Sequence, residues 1–412
     1  MDLEIVTIGT ELLLGFTIDT NSAFAGKALA AAGVKVVRRT AVADTPEAIQ
    51  GVVAEALART GAVLTTGGLG PTRDDISKAS VAAHFGAPLE FRPEAWERIV
   101  ERFKRFGRVP TDNNKGQAEL PRGAVELPNQ WGSAPGIWLE GKPGLVIMLP
   151  GVPREMRNLL THEVIPRLAA RGGKTVVRSR TLRTTAIGES LLAEKMGDIE
   201  REIAPLSLAY LPDLAAVDLR ATAWDLPADE ADRRLEAAME LLRARAGHHA
   251  FGEDGTDLAE VVLDAARRAK VTLGTAESCT GGLVAGRLTA IPGSSEVVLG
   301  GIVAYSDRIK ANALEVPDAL LAEHGAVSEA VARAMAEGAA RRLGATLTVA
   351  VTGIAGPGGG TAEKPVGLTW FATHYQGKTE SSKQIIFGER DEIRGRAAQV
   401  ALTLIWRRLQ DR

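Results

Sequence analysis

Hydrophobic positions in this chain fall into short continuous runs separated by longer stretches with helical spacing. The run Leu3–Ile8 reads as a strand ending in Gly9-Thr10-Glu11. A helical pattern over Ala23–Ala32 is closed by Gly33, and Val34–Arg38 reads as a second strand. Pro46 opens another helix that ends near Gly61, and Ala62–Thr66 then runs into the loop GGLGPTRDD. This alternation predicts a parallel, doubly wound sheet whose ligand crevice lies at the carboxyl ends of its strands. The pattern returns after residue 255. A helix over Leu258–Ala269 precedes a short strand, the turn TAESCTGG (275–282) and an Ala-rich helix. Strands over 297–305, 346–352 and 368–373 follow, with a helix beginning at Ser306 and the glycine-rich loop GIAGPGGG (353–360). Between the two patterns lies a βαββα unit: strand 175–185, helix 189–203, strands 206–210 and 215–224, helix 229–246. Segments 171–173 and 251–255 read as linkers. The fold class is α/β: two doubly wound α/β domains, 1–170 and 255–412, joined by a small α+β middle domain, 171–250.

Composition narrows the function classes. In 412 residues, 45% apolar and 24% charged, the formal net charge is −2. Nothing global points to nucleic acid or to an anionic membrane surface. The start lacks a basic-then-apolar leader, and no apolar run reaches spanning length, so no membrane partner is expected. A single cysteine, Cys279, fits a reducing cytoplasm.

The front loops carry one set of candidate groups. Gly67, Gly68 and Gly70 permit close backbone approach and an anion-binding nest. Asp74 and Asp75 could hold a hard cation that bridges phosphate oxygens, or could form an acidic helix start. Glu11, Asp19 and Asn21 fall on a neighbouring strand-end loop. Trp96, Ile99, Phe103 and Phe106 recur at helical spacing and read as core or dimer contact. Polar loops 113–117 and 129–136 could close over a nucleotide.

GTELLLG with DTN, TTGGLGPTRDD, and the segment MLPGVPREM (148–156) resemble the molybdopterin-biosynthesis-like domain of the CinA family. Relatives of that domain bind molybdopterin or an adenylated form of it. In CinA proteins the resemblance implies a metal-dependent pyrophosphatase that splits ADP-ribose into AMP and ribose 5-phosphate. Carried over, Asp74, Asp75 and Asp19 hold a divalent cation, Mg²⁺ or similar. Gly67, Gly68, Gly70 and Thr72 line the diphosphate, and Glu11, Asn21 and Glu155 complete the rim.

The middle unit is similar to the KH-like domain of the same family. A nucleic-acid-binding KH unit clamps the backbone with a GXXG loop, which Ile187-Gly188-Glu189-Ser190 does not supply. Arg178, Arg180 and Arg183 read as a solvated strand edge. The expectation is a spacer or dimerisation module, with RNA binding the less favoured alternative. A homodimer is expected, and nucleic acid is not expected as a partner.

In the last domain, free N–H groups at the helix start after 282 could hold an anion or oxyanion, and Ser278 sits inside the turn. Ser278 or Thr280 could equally cap that helix. A nucleophilic serine needs a base. His324 and His374 come without a local signature, and no G-x-S-x-G elbow occurs. Lys310 serves if burial lowers its proton affinity, and a surface lysine is the plain alternative. Cys279 is the rival nucleophile or a small buried filler.

TAESCTGG, PGSS (292–295), the Tyr-Ser-x-x-x-Lys segment at 305–310 and VTGIAGPGG match the C-terminal domain of CinA proteins. The resemblance implies an amidohydrolase that converts nicotinamide mononucleotide to nicotinate mononucleotide and ammonia without a cofactor. Ser278 is then the nucleophile, Lys310 the base and Tyr305 an orienting partner. Thr280, Gly281 and Gly282 supply oxyanion or phosphate donors. Gly353, Gly356 and Gly358 form a second cradle, and Arg390 meets the phosphate. Asp307 stands where the family often has Asn. The rival classes are a molybdopterin-binding enzyme and a non-catalytic competence or DNA-damage regulator.

Overall fold

The computed structural model describes residues 1–171, 175–213 and 216–410. The linker expected at 171–173 therefore falls largely outside the described residues. By contact the chain divides into two compact units, Met1–Arg178 with Thr222–Arg234, and Ser179–Ala221 with Leu235–Arg412.

The front sheet is built from β1 (Asp2–Ile8), β2 (Lys35–Val42), β3 (Ala62–Thr66), β4 (Val125–Leu127), β5 (Gly136–Gly141) and β6 (Gly144–Leu149), in the order β2-β1-β3-β6-β5-β4. Helices α1 (Thr20–Ala31), α2 (Pro46–Thr60), α3 (Ser77–His84) and α4 (Pro93–Arg105) accompany it. Four strands are parallel, as the alternation predicts. The edge is not: β5 runs antiparallel to both β6 and β4. Lys142-Pro143 makes a hairpin between β5 and β6, too short for the crossover that a parallel neighbour needs.

The continuous apolar runs are explained by burial on both faces. Leu3, Ile5, Leu64 and Ile147 pack with Ala25 and Leu29 of α1 on one side. Val6, Ile8, Val63 and Val146 pack with Ile49 and Val53 of α2 on the other. Each such aliphatic side chain contributes about 1.5–3 kcal/mol on burial. The ends of α2 follow local chemistry. Thr45 accepts the N–H of Ala48 at 3.4 Å, Pro46 sits in the first turn, and Gly61 closes the helix at φ 71°. In α4, Ile99, with Trp96 and Phe103, packs against Ala95 and Ala118; Phe106 lies outside that cluster and is exposed.

The middle piece holds β7 (Thr175–Thr184), α5 (Glu189–Met196), β8 (Ser207–Asp213), β9 (Ala216–Pro227), α6 (Ala228–Ala246) and β10 (Ala250–Glu253). Two expectations are corrected here. The linker read at 251–255 is largely strand: β10 pairs antiparallel with β7 through Ala250, Gly252 and Glu253. The helix read over 189–203 breaks at Gly197, which takes φ 54°, before a short turn at Ile199–Glu202. The strand order β8-β9-β7-β10 makes β7 internal. Its arginines are therefore not a solvated edge. Arg180 meets Glu253, Asp254 and Glu236, and Arg183 meets Asp218 at 2.7 Å.

The last domain comprises α7 (Leu258–Ala269), β11 (Leu273–Glu277), α8 (Leu283–Thr289), β12 (Val298–Val303), α9 (Asp307–Leu314), α10 (Glu329–Leu343), β13 (Leu347–Gly353), β14 (Leu368–Tyr375), β15 (Lys378–Ile385) and α11 (Arg390–Gln410). The order is β12-β11-β13-β14-β15. The first three strands are parallel and the last two antiparallel. No helix lies between β13 and β14 to carry a crossover, so the chain returns antiparallel. Alternation decides the faces. Val349, Val351 and Phe371 join α7 and α11 in one core. Ala276, Ala350 and Ala372 join α9 and α10 in the other.

Among the described residues no helix is long and apolar enough to cross a membrane.

Candidate functional site

The register of the last sheet brings its loops together. Glu277, at the end of β11, pairs with Val303 at the end of β12 and with Val351 near the end of β13. Ser278, Ala304-Tyr305 and the loop after Gly353 therefore leave the sheet at one edge, as the parallel architecture predicts. The Ser278 N–H donates to Val351 O at 2.9 Å, which continues the ladder one residue past the strand. Ser278 is thereby held two residues past Ala276, which packs against the layer of α9 and α10.

Lys310 belongs to that layer. Ser306 caps α9, its Oγ accepting the Ile309 N–H at 3.4 Å. Lys310 and Leu314, at i and i+4, form the buried side of the helix. Lys310 is 1% exposed. Its Nζ donates to Asp307 Oδ1 at 3.4 Å, a long contact to an exposed carboxylate. Burying an ammonium with so little compensation costs free energy that an apolar side chain would avoid.

Glu277 is the residue the sequence reading missed. It is 0% exposed. Its carboxylate accepts the N–H groups of Gly282 (2.9 Å), Val284 (3.1 Å) and Ala285 (2.9 Å), and the Thr275 hydroxyl at 3.2 Å. The expectation of free donors at Gly281 and Gly282 is corrected. Gly282 donates to Glu277, and Gly281 donates to Ser278 O at 3.1 Å. A carboxylate seated on a helix start is strongly favoured, so the chain fills its own anion cradle. The signal was present as an acid immediately before the small-residue turn.

Arg394 of α11 holds the turn from its other side. Its Nε donates to Cys279 O and its Nη2 to Thr280 O, both at 3.2 Å. Thr280 Oγ is buried without a hydrogen-bond partner among the described residues. Burial pushes the Cys279 thiol up to about 12, with Glu277 adding to the shift, so no thiolate forms there at neutral pH.

Tyr305 is 60% exposed, and its hydroxyl accepts from Arg390 Nη2 at 2.9 Å. Arg390 Nη1 donates to Gly356 O at 2.6 Å. Arg390 therefore braces Tyr305 to the second glycine loop. A Cβ on Gly353 would lie 2.7 Å from Thr369 Oγ1, and one on Gly356 2.7 Å from Val366 Cγ1. Packing within the chain accounts for those two glycines, whereas the space at Gly358 is open.

In the front unit, Gly67 follows β3 and Gly151 lies just past the end of β6. Asn21 donates to Gly151 O at 2.7 Å and Thr66 Oγ1 at 3.3 Å, leaving its buried Oδ1 without a partner among the described residues. A Cβ on Gly67 would lie 2.2 Å from Ile8 O, and one on Gly68 2.0 Å from Ser77 Oγ. Ser77 Oγ is also buried and unpartnered among the described residues. Glu155 accepts from Asn129 at 2.7 Å, and burial raises its carboxyl above the usual range. Glu11 is exposed beside Gly9.

Two of the three carboxylates expected to hold a cation are engaged within the chain and one is exposed. Asp75 Oδ2 already accepts from Thr72 N (2.8 Å) and Thr72 Oγ1 (2.6 Å). Asp19 caps α1 by accepting the Ser22 N–H at 2.9 Å, and Asp74 is exposed. Among the described residues no group of three acids, histidines or cysteines gathers around a point. Lys78 was missed as well. It sits in the first turn of α3, where a cation opposes the helix dipole. Its Nζ donates to Gly116 O, and burial lowers it to about 8, Glu119 and Asp75 opposing the shift.

Three family descriptions match the chain: a probable molybdopterin binding domain over 4–170, a damage-inducible protein CinA KH domain over 179–252, and a CinA C-terminal domain over 255–409. A CinA-like protein of Gemmatimonas aurantiaca is 50% identical over 406 residues, 98% of this chain and 95% of that protein. A putative competence-damage inducible protein of Moorella thermoacetica is 41% identical over 412 residues, 100% of this chain and 99% of that one. The crystal structure of competence/damage inducible protein CihA from Agrobacterium tumefaciens is 44% identical. It covers 37% of this chain and 94% of its own, with a TM-score of 0.37. The chain belongs to the CinA family. Its fold is accordingly a molybdopterin-binding-like front, a KH-like middle and a CinA C-terminal domain.

Proposed function

We propose that the last domain is a serine amidohydrolase acting on nicotinamide mononucleotide. The observation that carries the reading is Lys310, fully buried on α9, whose layer packs on the sheet face that carries Ala276, two residues before Ser278. Ser278 Oγ attacks the carboxamide carbon while its proton passes to Lys310 Nζ. The tetrahedral intermediate collapses, the C–N bond breaks, and Lys310 returns the proton to the departing ammonia. Water then attacks the acyl ester, losing a proton to Lys310, and the carboxylate product leaves as Ser278 is reprotonated. Arg394 keeps the turn carbonyls away from the reacting centre, and Tyr305 with Arg390 borders it. Ammonia release from nicotinamide mononucleotide tests this. Loss on Ser278→Ala with retention on Cys279→Ala is expected, and the reverse pattern ends the serine mechanism.

For the front domain the reading is hydrolysis of ADP-ribose to AMP and ribose 5-phosphate. Its support is two buried polar atoms without partners among the described residues, Asn21 Oδ1 and Ser77 Oγ, beside the Gly67–Asp75 loop. AMP formation from ADP-ribose, with and without chelator, tests both the activity and its need for a divalent cation. The same reading takes the protein as a cytoplasmic homodimer, which sedimentation checks for the assembly.

A further inference from the structure

Thr185 comes directly after β7 in the middle piece and is fully buried. Its Oγ1 lies 2.7 Å from Thr403 Oγ1 of α11. The Thr403 hydroxyl has one proton, which it donates to Gln399 O at 2.9 Å. Thr185 is therefore the donor to Thr403. Gln399 Nε2 donates in turn to Thr185 Oγ1 at 3.3 Å. The other end of that amide is fixed by Arg287, whose Nη1 donates to Gln399 Oε1 at 2.6 Å; a guanidinium can only donate, so the oxygen must face it. Gln399, Thr185 and Thr403 thus close a ring of hydrogen bonds in which each hydroxyl both donates and accepts.

The ring touches both helices that hold the candidate turn. Arg287 belongs to α8, whose first amides seat Glu277, and its Nη2 reaches Asp257 Oδ1 at 2.8 Å, the residue that caps α7. Gln399 belongs to α11, where Arg394 grips the carbonyls of Cys279 and Thr280 about 7.5 Å away along the axis. The turn that carries Ser278 is held from α8 and from α11, and Gln399 ties both to Thr185. Thr184, the residue before, is buried as well, but its Oγ1 spends its proton on Val217 O at 2.7 Å, inside the middle sheet.

We propose that Gln399 is a positioning residue for the Ser278 centre, and that through it the buried hydroxyl of Thr185 sets how α8 and α11 hold the turn. The proposal rests on the amidohydrolase reading for its effect on catalysis; the holding of the turn stands apart from it. Breaking the ring at Thr185 leaves the Gln399 amide without its acceptor, a cost that a shift of α11 against α8 relieves. Such a shift moves the serine, and small displacements of a nucleophile cost rate out of proportion to their size.

The turn contains the chain's single cysteine, Cys279, so the rate at which iodoacetamide labels the native protein reports the opening of the turn. Thr185→Val and Gln399→Leu are each expected to speed labelling at least about fivefold, and Thr185→Ser, which keeps the hydroxyl, to rescue it. Thr184→Val removes the neighbouring hydroxyl and is expected to leave labelling unchanged. Thr185→Val and Gln399→Leu should also lower kcat for ammonia release from nicotinamide mononucleotide about tenfold, with KM moved less than about twofold. Labelling that is unchanged in both variants, or accelerated equally in Thr184→Val, overturns the proposal. Faster labelling at unaltered kcat overturns the positioning role. If the wild-type chain releases no ammonia, the amidohydrolase reading falls, and the labelling rates still decide whether Gln399 holds the turn.

Discussion

Glu277 Oε2 accepts the N–H of Gly282 at 2.9 Å, and through this bond a strand end and a helix start become one unit. The same carboxylate takes two more amides of α8. Replacing it with Gln puts an NH₂ against backbone donors and removes the charge. Hydrogen bonds to charged groups contribute about 1.5–3 kcal/mol. Glu277→Gln is therefore expected to lower stability by about 2 kcal/mol, read from the urea midpoint, with amidase activity falling as the turn loosens. An unchanged midpoint would show the carboxylate to be dispensable.

Lys310→Met separates activity from stability. Methionine keeps the length and removes a buried ammonium whose partner is 3.4 Å away. The melting temperature should hold or rise, because apolar replacements of buried ionic groups are often neutral or stabilising. Ammonia release should fall at least about 100-fold, the usual worth of a proton-transfer group. A large loss of stability would make Lys310 structural.

Lys78 gives a pH signature. Its folded affinity for a proton is lowered to about 8 from an unfolded value of 10.5. Between those values the unfolded chain binds more protons than the folded one, so stability rises with pH across that window. Below about pH 8 the cost of burying the charge is fully present; above about 10.5 it is gone. Comparing urea midpoints from pH 7 to 10 in wild type and Lys78→Met should show a positive slope that the variant loses. Parallel slopes would mean that Lys78 is solvated.

Cys279, held up to about 12 by burial, should resist alkylation. At pH 7.5 iodoacetamide is expected to label the native chain at least about tenfold more slowly than the urea-unfolded chain, since the thiolate reacts and the thiol does not. Mass spectrometry of the intact protein checks this. Equal rates would revive the cysteine as nucleophile.

Much of this architecture was readable in the residues. Pro46 and Gly61 bound α2, and Leu258 and Ala269 bound α7, because capping and periodicity act locally. The antiparallel edges were not readable. Whether a strand returns by crossover or hairpin depends on connections that the apolar pattern does not describe. The strand at Ala250–Glu253 was lost because its short, glycine-containing run pairs with residues far away in sequence. At the candidate site the motifs marked Ser278 and Lys310, while the partners that shape the turn escaped notice. Glu277 read only as part of the turn TAESCTGG, and Arg394 was not singled out. Their roles arise from three-dimensional contact with backbone atoms, which side-chain spacing does not record.

Arg394 stands 115 positions after the carbonyl of Cys279 that it grips. A nascent chain emerging from the ribosome would already have β11 and its serine while α11 was still in the exit tunnel. The loop around the hydroxyl would then lack its outer clasp until α11 had also emerged, and the order of synthesis would delay the maturation of this centre.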